Sequence, residues 1–325
     1  MENRKDQMTQ ALEKKLLKAA GATLAVCSLA GIGFFGAYAV AGSIYGTPQQ
    51  QEASVASSQA EVQPDPFSSV ALIAKAAYVV DISTGRTLYQ LNPDTQLPLA
   101  SLTKVPLTLA VTQSLAPGTI ITIPQHQSPD GAPLRIAAGG QWNLQDLIDY
   151  TLAASSNEGA ELLAEAADTS IASAYPQVPQ TGNDSATLWR MNDLVKDLGL
   201  SNTYFLDVTG LDLSTTQSGA YGSARDMATI FAYAASTSLS TFQATTESTV
   251  TRSTLAGQAL TAQNTDEALP SIPGLLMGKT GYTDLAGGNL AVVFDAAPGH
   301  RVVAIVLGST EDGSFSDMKQ LVPAA

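Results

Sequence analysis

Histidine and cysteine are almost missing from this chain of 325 residues, which has two of the first and one of the second. A lone Cys27 excludes a disulfide framework and any cysteine-rich zinc site. His126 and His300 alone make a multi-histidine metal centre untenable, and a Ser-His-Asp triad would have to use one of them. Both sit in turn-like stretches, "PQHQSPDG" and "DAAPGHR", and read as solvated loop residues. Basic residues are also scarce: 16 Lys and Arg stand against 29 Asp and Glu, a formal net charge of -13. Phosphate binding needs clustered cations, and no basic run occurs, so nucleic acid is not expected as a partner. Charged residues make up 14% of the chain and hydrophobic ones 45%, which is enough for a sizeable core in one large domain or two small ones.

Charge disappears altogether from residues 19–46, "AAGATLAVCSLAGIGFFGAYAVAGSIYG". A helical span of a bilayer core takes about 20 residues. Residues 1–18 carry five basic side chains, and the next basic residue is Lys75. The positive-inside rule then predicts a cytoplasmic lead at 1–18, a transmembrane helix or signal anchor at 19–46, and an extracytoplasmic remainder. Cleavage at "AYA" (37–39) is the alternative, and it would release the protein. Residues 47–69 are rich in Gln, Ser, Ala and Pro and read as a disordered linker. A catalytic or binding domain is expected over 70–315, with a short tail at 316–325.

Within that domain, "KAAYVVDISTGRTLYQLNP" predicts a hairpin around Thr84-Gly85. Helices are expected from Ser101 to about Leu115, over 143–155 with Asn143 as cap, from about Glu158 to Ala167, over 189–200, and over 223–236 with Ser223 as cap. Three further strands follow in "GLLMGKTGYTD", "GNLAVVFDA" and "HRVVAIVLGST". Strands at both ends with helices between predict an α+β fold, an antiparallel sheet built from both chain ends with helices packed on both faces.

Three short motifs then carry chemistry. In "LASLTKVP", Ser101 and Lys104 stand three apart and share one side of a helix. A serine hydroxyl needs a base to become a nucleophile, and a lysine serves only if burial or positive charge lowers its pKa. "SSN" at 155–157 falls where one helix hands over to the next. Ser155 there offers a proton relay, and Asn157 a donor and an acceptor for an amide. "GKTGYTD" offers the charge of Lys279, the hydroxyl of Thr280, and at Gly281 a bare backbone against which a ligand can lie. Each alone has an ordinary explanation: a solvated helix pair, a helix cap, a lysine guarding a strand edge.

Their order, S-x-x-K then S-x-N then K-T-G, is the distinctive signal. The sequence resembles the serine D-alanyl-D-alanine carboxypeptidases (peptidase family S11), which are low-molecular-mass penicillin-binding proteins of β-lactamase/transpeptidase-like fold. The likeness runs over about 70–312, through "AAYVVDISTGRTLYQLN", "GQWNLQDLIDYTLAASSNEGAELLAE", "MNDLVKDLGLSNTYFLDVTGLD" and "GKTGYTDLAGGNLA". It implies that Ser101 attacks the penultimate D-alanine carbonyl of a peptidoglycan stem peptide ending in D-Ala-D-Ala and forms an acyl-enzyme. Lys104 would take the proton, helped to stay neutral by Lys279, and Ser155 would relay it to the leaving amine. Backbone N–H groups of Ser101 and Tyr282 would form the oxyanion hole. Lys279, Thr280 and Gly281 would receive the terminal carboxylate end, and Asn157 the peptide amide. No metal or organic cofactor is implied, and β-lactam antibiotics would act as covalent inhibitors. Two other readings use the same residues, a D,D-endopeptidase that cuts cross-links and a non-catalytic penicillin-sensing or peptidoglycan-binding module. A class A β-lactamase is disfavoured because residues 168–200 hold no E-x-x-L-N. Departures from the family pattern are Pro106, Glu158-Gly159 and a long loop expected at about 168–187. Neither the additional β-rich domain nor the terminal amphipathic anchor of many relatives is expected after "VLGST", and residues 19–46 would supply anchoring instead.

Overall fold

Alternation of side chains along a few apolar strands organises the molecule. The computed structural model describes residues 65–125, 135–179 and 185–325. Strands β1 (Ala76–Asp81) and β2 (Arg86–Leu91) form the expected hairpin, with Gly85 at φ 75° in its turn. A short strand β3 (Leu97–Pro98) runs through a 3-10 turn (Ala100–Thr103) into helix α1 (Lys104–Ser114). The short pair β4 (Ile120–Thr122) and β5 (Gln141–Asn143) precedes helices α2 (Leu144–Ala153), α3 (Asn157–Ala174) and α4 (Ala186–Asp197). Strands β6 (Tyr204–Phe205) and β7 (Ala220–Gly222) lead to α5 (Ala224–Thr237), and a hairpin of β8 (Thr249–Ser253) and β9 (Ala259–Gln263) follows. The chain closes with β10 (Leu275–Thr283), β11 (Gly287–Ala297), β12 (His300–Ser309) and α6 (Glu311–Ala324).

The main sheet runs β10-β11-β12-β1-β2, antiparallel throughout. Successive residues of β12 point to opposite faces. Val303, Ile305 and Leu307 join a core with α1 and α5, whereas Val302, Ala304 and Val306 join Met318, Leu321 and Val322 of α6. Helices therefore cover both faces, as the sequence predicted. Helix α1 is buried on all sides from Lys104 to Val111, as its nearly uncharged sequence requires.

Several boundaries differ from expectation. Residues 316–325 are no tail, because all but Ala325 belong to α6, whose apolar face seals the sheet. The buried Asp317 also accepts hydrogen bonds from the backbone of Ile73 (2.8 Å) and Ala74 (2.9 Å) and from Ser309 Oγ (2.8 Å). Phe67 is buried, so the folded unit begins before residue 70. Helix α3 continues to Ala174, which shortens the loop expected from 168. Asn143 occupies the cap position of α2, yet its amide donates to the Asp146 carboxylate instead of capping the backbone. The proposed lead, the anchor at 19–46, most of the linker and His126 lie outside the described residues. No described helix is long and apolar enough to cross a membrane.

Candidate active site

Positioning of Ser101 begins with a strained residue. Ala100 stands at φ 49°, a left-handed conformation that costs a non-glycine residue roughly 1–2 kcal/mol. The bend turns the chain out of β3 and places Ser101 at the start of the 3-10 turn. The approach is fixed from both sides. Leu99 N donates to Ala220 O (3.0 Å), and Asn289, itself accepting from Gly308 N, donates to Pro98 O (3.0 Å). Pro106 lies in the first turn of α1, where its missing N–H matters least.

One turn on, Lys104 is fully buried. Its Nζ donates to Ser101 Oγ (2.8 Å), Asn157 Oδ1 (2.8 Å) and Thr209 O (3.0 Å). Burial lowers its pKa from 10.5 to about 7, against the opposing pull of the Asp207 and Glu161 carboxylates. A neutral Lys104 turns a lone pair toward the serine hydroxyl near neutral pH, the condition that the sequence motif alone left open.

The second motif sits at the junction of α2 and α3. Ser155 is left-handed at φ 52°, Ser156 caps α3 by accepting from Gly159 N (3.0 Å), and Asn157 opens the helix. Its Oδ1 is taken by Lys104, so only the amide Nδ2 remains for a ligand, where the sequence suggested both groups. The Glu158-Gly159 departure has local causes. A Cβ at Gly159 would sit 2.2 Å from Thr151 Oγ1, and the Glu158 carboxylate accepts from the backbone N–H groups of Arg135 (3.1 Å) and Ile136 (3.0 Å).

The third motif lies on β10, at the edge of the main sheet. Lys279 does not guard that edge in solvent. It is 2% exposed and donates to Ser155 Oγ (2.9 Å) and Thr280 O (2.9 Å), with Thr280 Oγ1 at 3.4 Å. Burial first, and then the neighbouring Lys104 charge, pull its pKa well below the usual lysine value, while Asp266 opposes the fall. Thr280 Oγ1 is also 2.5 Å from Thr265 Oγ1. Gly281 has no room for a side chain: a Cβ would meet Leu99 O at 2.9 Å and Ser101 N at 3.0 Å. Strand and nucleophile turn therefore touch through backbone. Tyr282, next along the strand, is half exposed.

The three motifs thus converge on one cleft of about 250 Å³, lined by Ser101, Ser155, Asn157, Thr280, Gly281 and Tyr282. Thr265, Leu211 and Glu311 also line it and were not singled out from sequence. Nor was the Thr209 carbonyl, since a backbone acceptor has no side-chain signature. His300 is remote from the cleft and pairs with Asp81 (2.9 Å) at the start of β12. Among the described residues no group of three His, Cys, Asp or Glu is arranged to hold a metal ion. What the arrangement offers is a hydroxyl beside a buried amine of lowered pKa, and a second amine with a hydroxyl suited to an anion.

Residues 59–311 match peptidase family S11, described as D-alanyl-D-alanine carboxypeptidase. The D-alanyl-D-alanine carboxypeptidase DacF of Bacillus subtilis is 28% identical over 254 residues, 75% of this chain and 59% of that protein. A D-alanyl-D-alanine endopeptidase of Pseudomonas aeruginosa is 27% identical over 243 residues, 73% of each chain. The chain thus spans about three fifths of the length of the first of these relatives and more of the second. Among solved structures, Penicillin-Binding Protein D2 from Listeria monocytogenes in its cefotaxime-bound form superposes with a TM-score of 0.65 at 27% identity, covering 78% of this chain and 98% of that one.

Proposed function

The chain belongs to the D-alanyl-D-alanine carboxypeptidase family S11, and from that premise we propose that it is a serine D,D-carboxypeptidase that removes the terminal D-alanine of peptidoglycan stem peptides. Ser101 Oγ attacks the carbonyl of the penultimate D-alanine as neutral Lys104 takes its proton. The amide C–N bond then breaks, the departing D-alanine nitrogen receives a proton through Ser155, and water hydrolyses the ester on Ser101. Backbone N–H groups of Ser101 and Tyr282 receive the developing oxyanion. Lys279 and Thr280 hold the terminal carboxylate, the Asn157 amide donates to the stem-peptide carbonyl, and Gly281 lets the peptide lie against β10.

One observation carries this reading: the fully buried amine of Lys104 lies 2.8 Å from Ser101 Oγ, with a pKa brought to about 7. A substrate carboxylate at Lys279 favours charge on that amine, and like-charge repulsion then keeps Lys104 neutral. The cefotaxime bound to the similar D2 protein supports the companion proposal that β-lactams acylate Ser101. The uncharged run at 19–46 supports tethering to the outer face of a bacterial cytoplasmic membrane.

The test is release of free D-alanine from a peptide ending in D-Ala-D-Ala, with Ser101→Ala as control. Release by the wild type that falls at least about a thousandfold in the variant is expected. Labelling by a fluorescent penicillin without D-alanine release would replace this reading with that of an endopeptidase, the activity named for the Pseudomonas aeruginosa relative, or of a sensor. Cleavage of a cross-linked muropeptide dimer separates those two.

A further inference from the structure

Two buried amines in one cleft repel each other, and burial lowers the pKa of both; acylation as read above needs a positive charge on Lys279 and none on Lys104. Each amine also has a carboxylate of its own outside the cleft. Asp207 stands in the turn between β6 and β7. Its Oδ1 accepts from Thr209 N (2.7 Å), Gly210 N (3.0 Å) and the Thr209 hydroxyl. That turn presents the Thr209 carbonyl to Lys104 Nζ at 3.0 Å. Asp266 follows β9 and is 4% exposed. Its Oδ1 accepts from Ala268 N (2.8 Å), whereas its Oδ2 is buried without a partner. The Oδ2 lies 3.2 Å from where a Cβ of Gly278 would stand, beside the backbone that carries Lys279.

We propose that Asp207 and Asp266 are positioning residues that divide the charge of the lysine pair, Asp207 setting the cost of a cation on Lys104 and Asp266 the cost of one on Lys279. The proposal rests on the serine acylation reading above. Each amine meets charged groups from more than one element. Lys104 faces Asp207, Glu161 of α3 and Lys279, with neutral Ser101 and Asn157. Lys279 faces Lys104 and Asp266, with neutral Ser155 and Thr280. Asp266 in turn faces Lys279 and Lys319 of α6. Burial raises its pKa while both lysines resist the rise.

The two carboxylates make separable predictions. Acylation uses the state with Lys104 neutral and Lys279 charged. At low pH the competing state carries both charges. It differs from the active one only at Lys104, so of the two aspartates only Asp207 affects the balance, and Glu161 is unchanged in both variants. At high pH the competing state carries neither. It differs only at Lys279, so only Asp266 matters. Asp207→Asn keeps the oxygen that closes the turn and removes the charge. It should raise the acylation rate on the acid limb by roughly 3- to 10-fold and leave the alkaline limb in place. Asp266→Asn should leave the acid limb in place and lower the alkaline limb by a similar factor.

The experiment is the second-order rate of labelling by a fluorescent penicillin, followed against pH for the full chain in detergent. A wild type that does not label would overturn the functional reading itself. A wild type that labels, with variants that shift the same limb or neither, would overturn the charge division alone. A uniform loss at every pH, the mark of a merely structural role, would also overturn it. Should either asparagine variant fail to fold, Asp207→Ser and Asp266→Ser put the same question, since serine retains an oxygen acceptor.

Discussion

At the scale of single residues, the site depends on positions where any side chain at all would intrude. A Cβ at Gly281 would press on Leu99 O, Ser101 N and the Ala100 side chain together, all at 2.9–3.1 Å. Two of those contacts are backbone, so the strand must retreat from the nucleophile. Misplacement of a reacting group by about 1 Å costs on the order of a hundredfold in rate. Gly281→Ala is therefore expected to slow penicillin acylation by about that factor. Its thermal midpoint should stay within a few degrees of wild type, because β10 remains paired with β11. Near-wild-type labelling kinetics would show that the strand does not need its close approach. Gly210 is more constrained still: its φ is 81°, and a Cβ would stand 2.1 Å from Ala100 O. Gly210→Ala should disturb Ala100, the Thr209 carbonyl and Lys104 at once, and lose both acylation and stability.

At the scale of elements, helix α6 matters most among the parts that the sequence did not disclose. Met318 and Leu321 are fully buried against the sheet, each contributing roughly 2–3 kcal/mol by area. Asp317 adds three hydrogen bonds that hold the chain's entry at Ile73 and Ala74 against Ser309. Asp317→Ala strips two backbone donors of their partner and should lower stability by about 2–4 kcal/mol in urea unfolding. The pH profile of acylation should not move, since Asp317 is not among the charges that act on Lys104 or Lys279. An unchanged urea midpoint would contradict the clasp. The sequence hid α6 because "EDGSFSDMKQ" opens with polar and small residues and shows little apolar period before Met318. It also hid β8 and β9, which are short, Thr-rich and mostly exposed, so period-2 patterning had little to act on. The hairpin of β1 and β2, strands β10 to β12 and helices α1 to α5 were legible, because their apolar spacing agrees with the packing and Ser223 caps α5 as expected, although Asn143 does not cap α2. So were the S-x-x-K, S-x-N and K-T-G positions, whose side chains do converge. The partner of Asn157 Oδ1, the Thr209 carbonyl and Asp207 were not, since they depend on contacts over about 50 to 105 positions of chain.

At the scale of the whole molecule, the cleft is a source of instability, and pH should reveal it. Lys104 has a pKa of about 7 when folded and 10.5 as its ordinary value. Between those limits the unfolded chain binds the extra proton and the folded protein does not, so stability must rise with pH across that window. The sign follows from the lowered folded pKa of a base: the penalty is fully present below about pH 7 and relieved as pH approaches 10.5. Lys279, also shifted downward by burial, contributes in the same direction. Lys104→Met keeps the bulk of the side chain and removes the titration. Urea unfolding of wild type and variant at several pH values from 7 to 10 reads the effect of the lysine pair, because the variant loses the Lys104 titration and also frees Lys279 from that neighbouring charge. The variant's advantage should be largest at pH 7, on the order of a few kcal/mol, and should shrink as pH rises. Acylation would be lost in the variant at every pH, so the gain in stability and the loss of function would come from the same nitrogen. Two stability curves that stay parallel from pH 7 to 10 would mean that Lys104 carries its charge inside the fold, and the case for it as the base of Ser101 would fail with them.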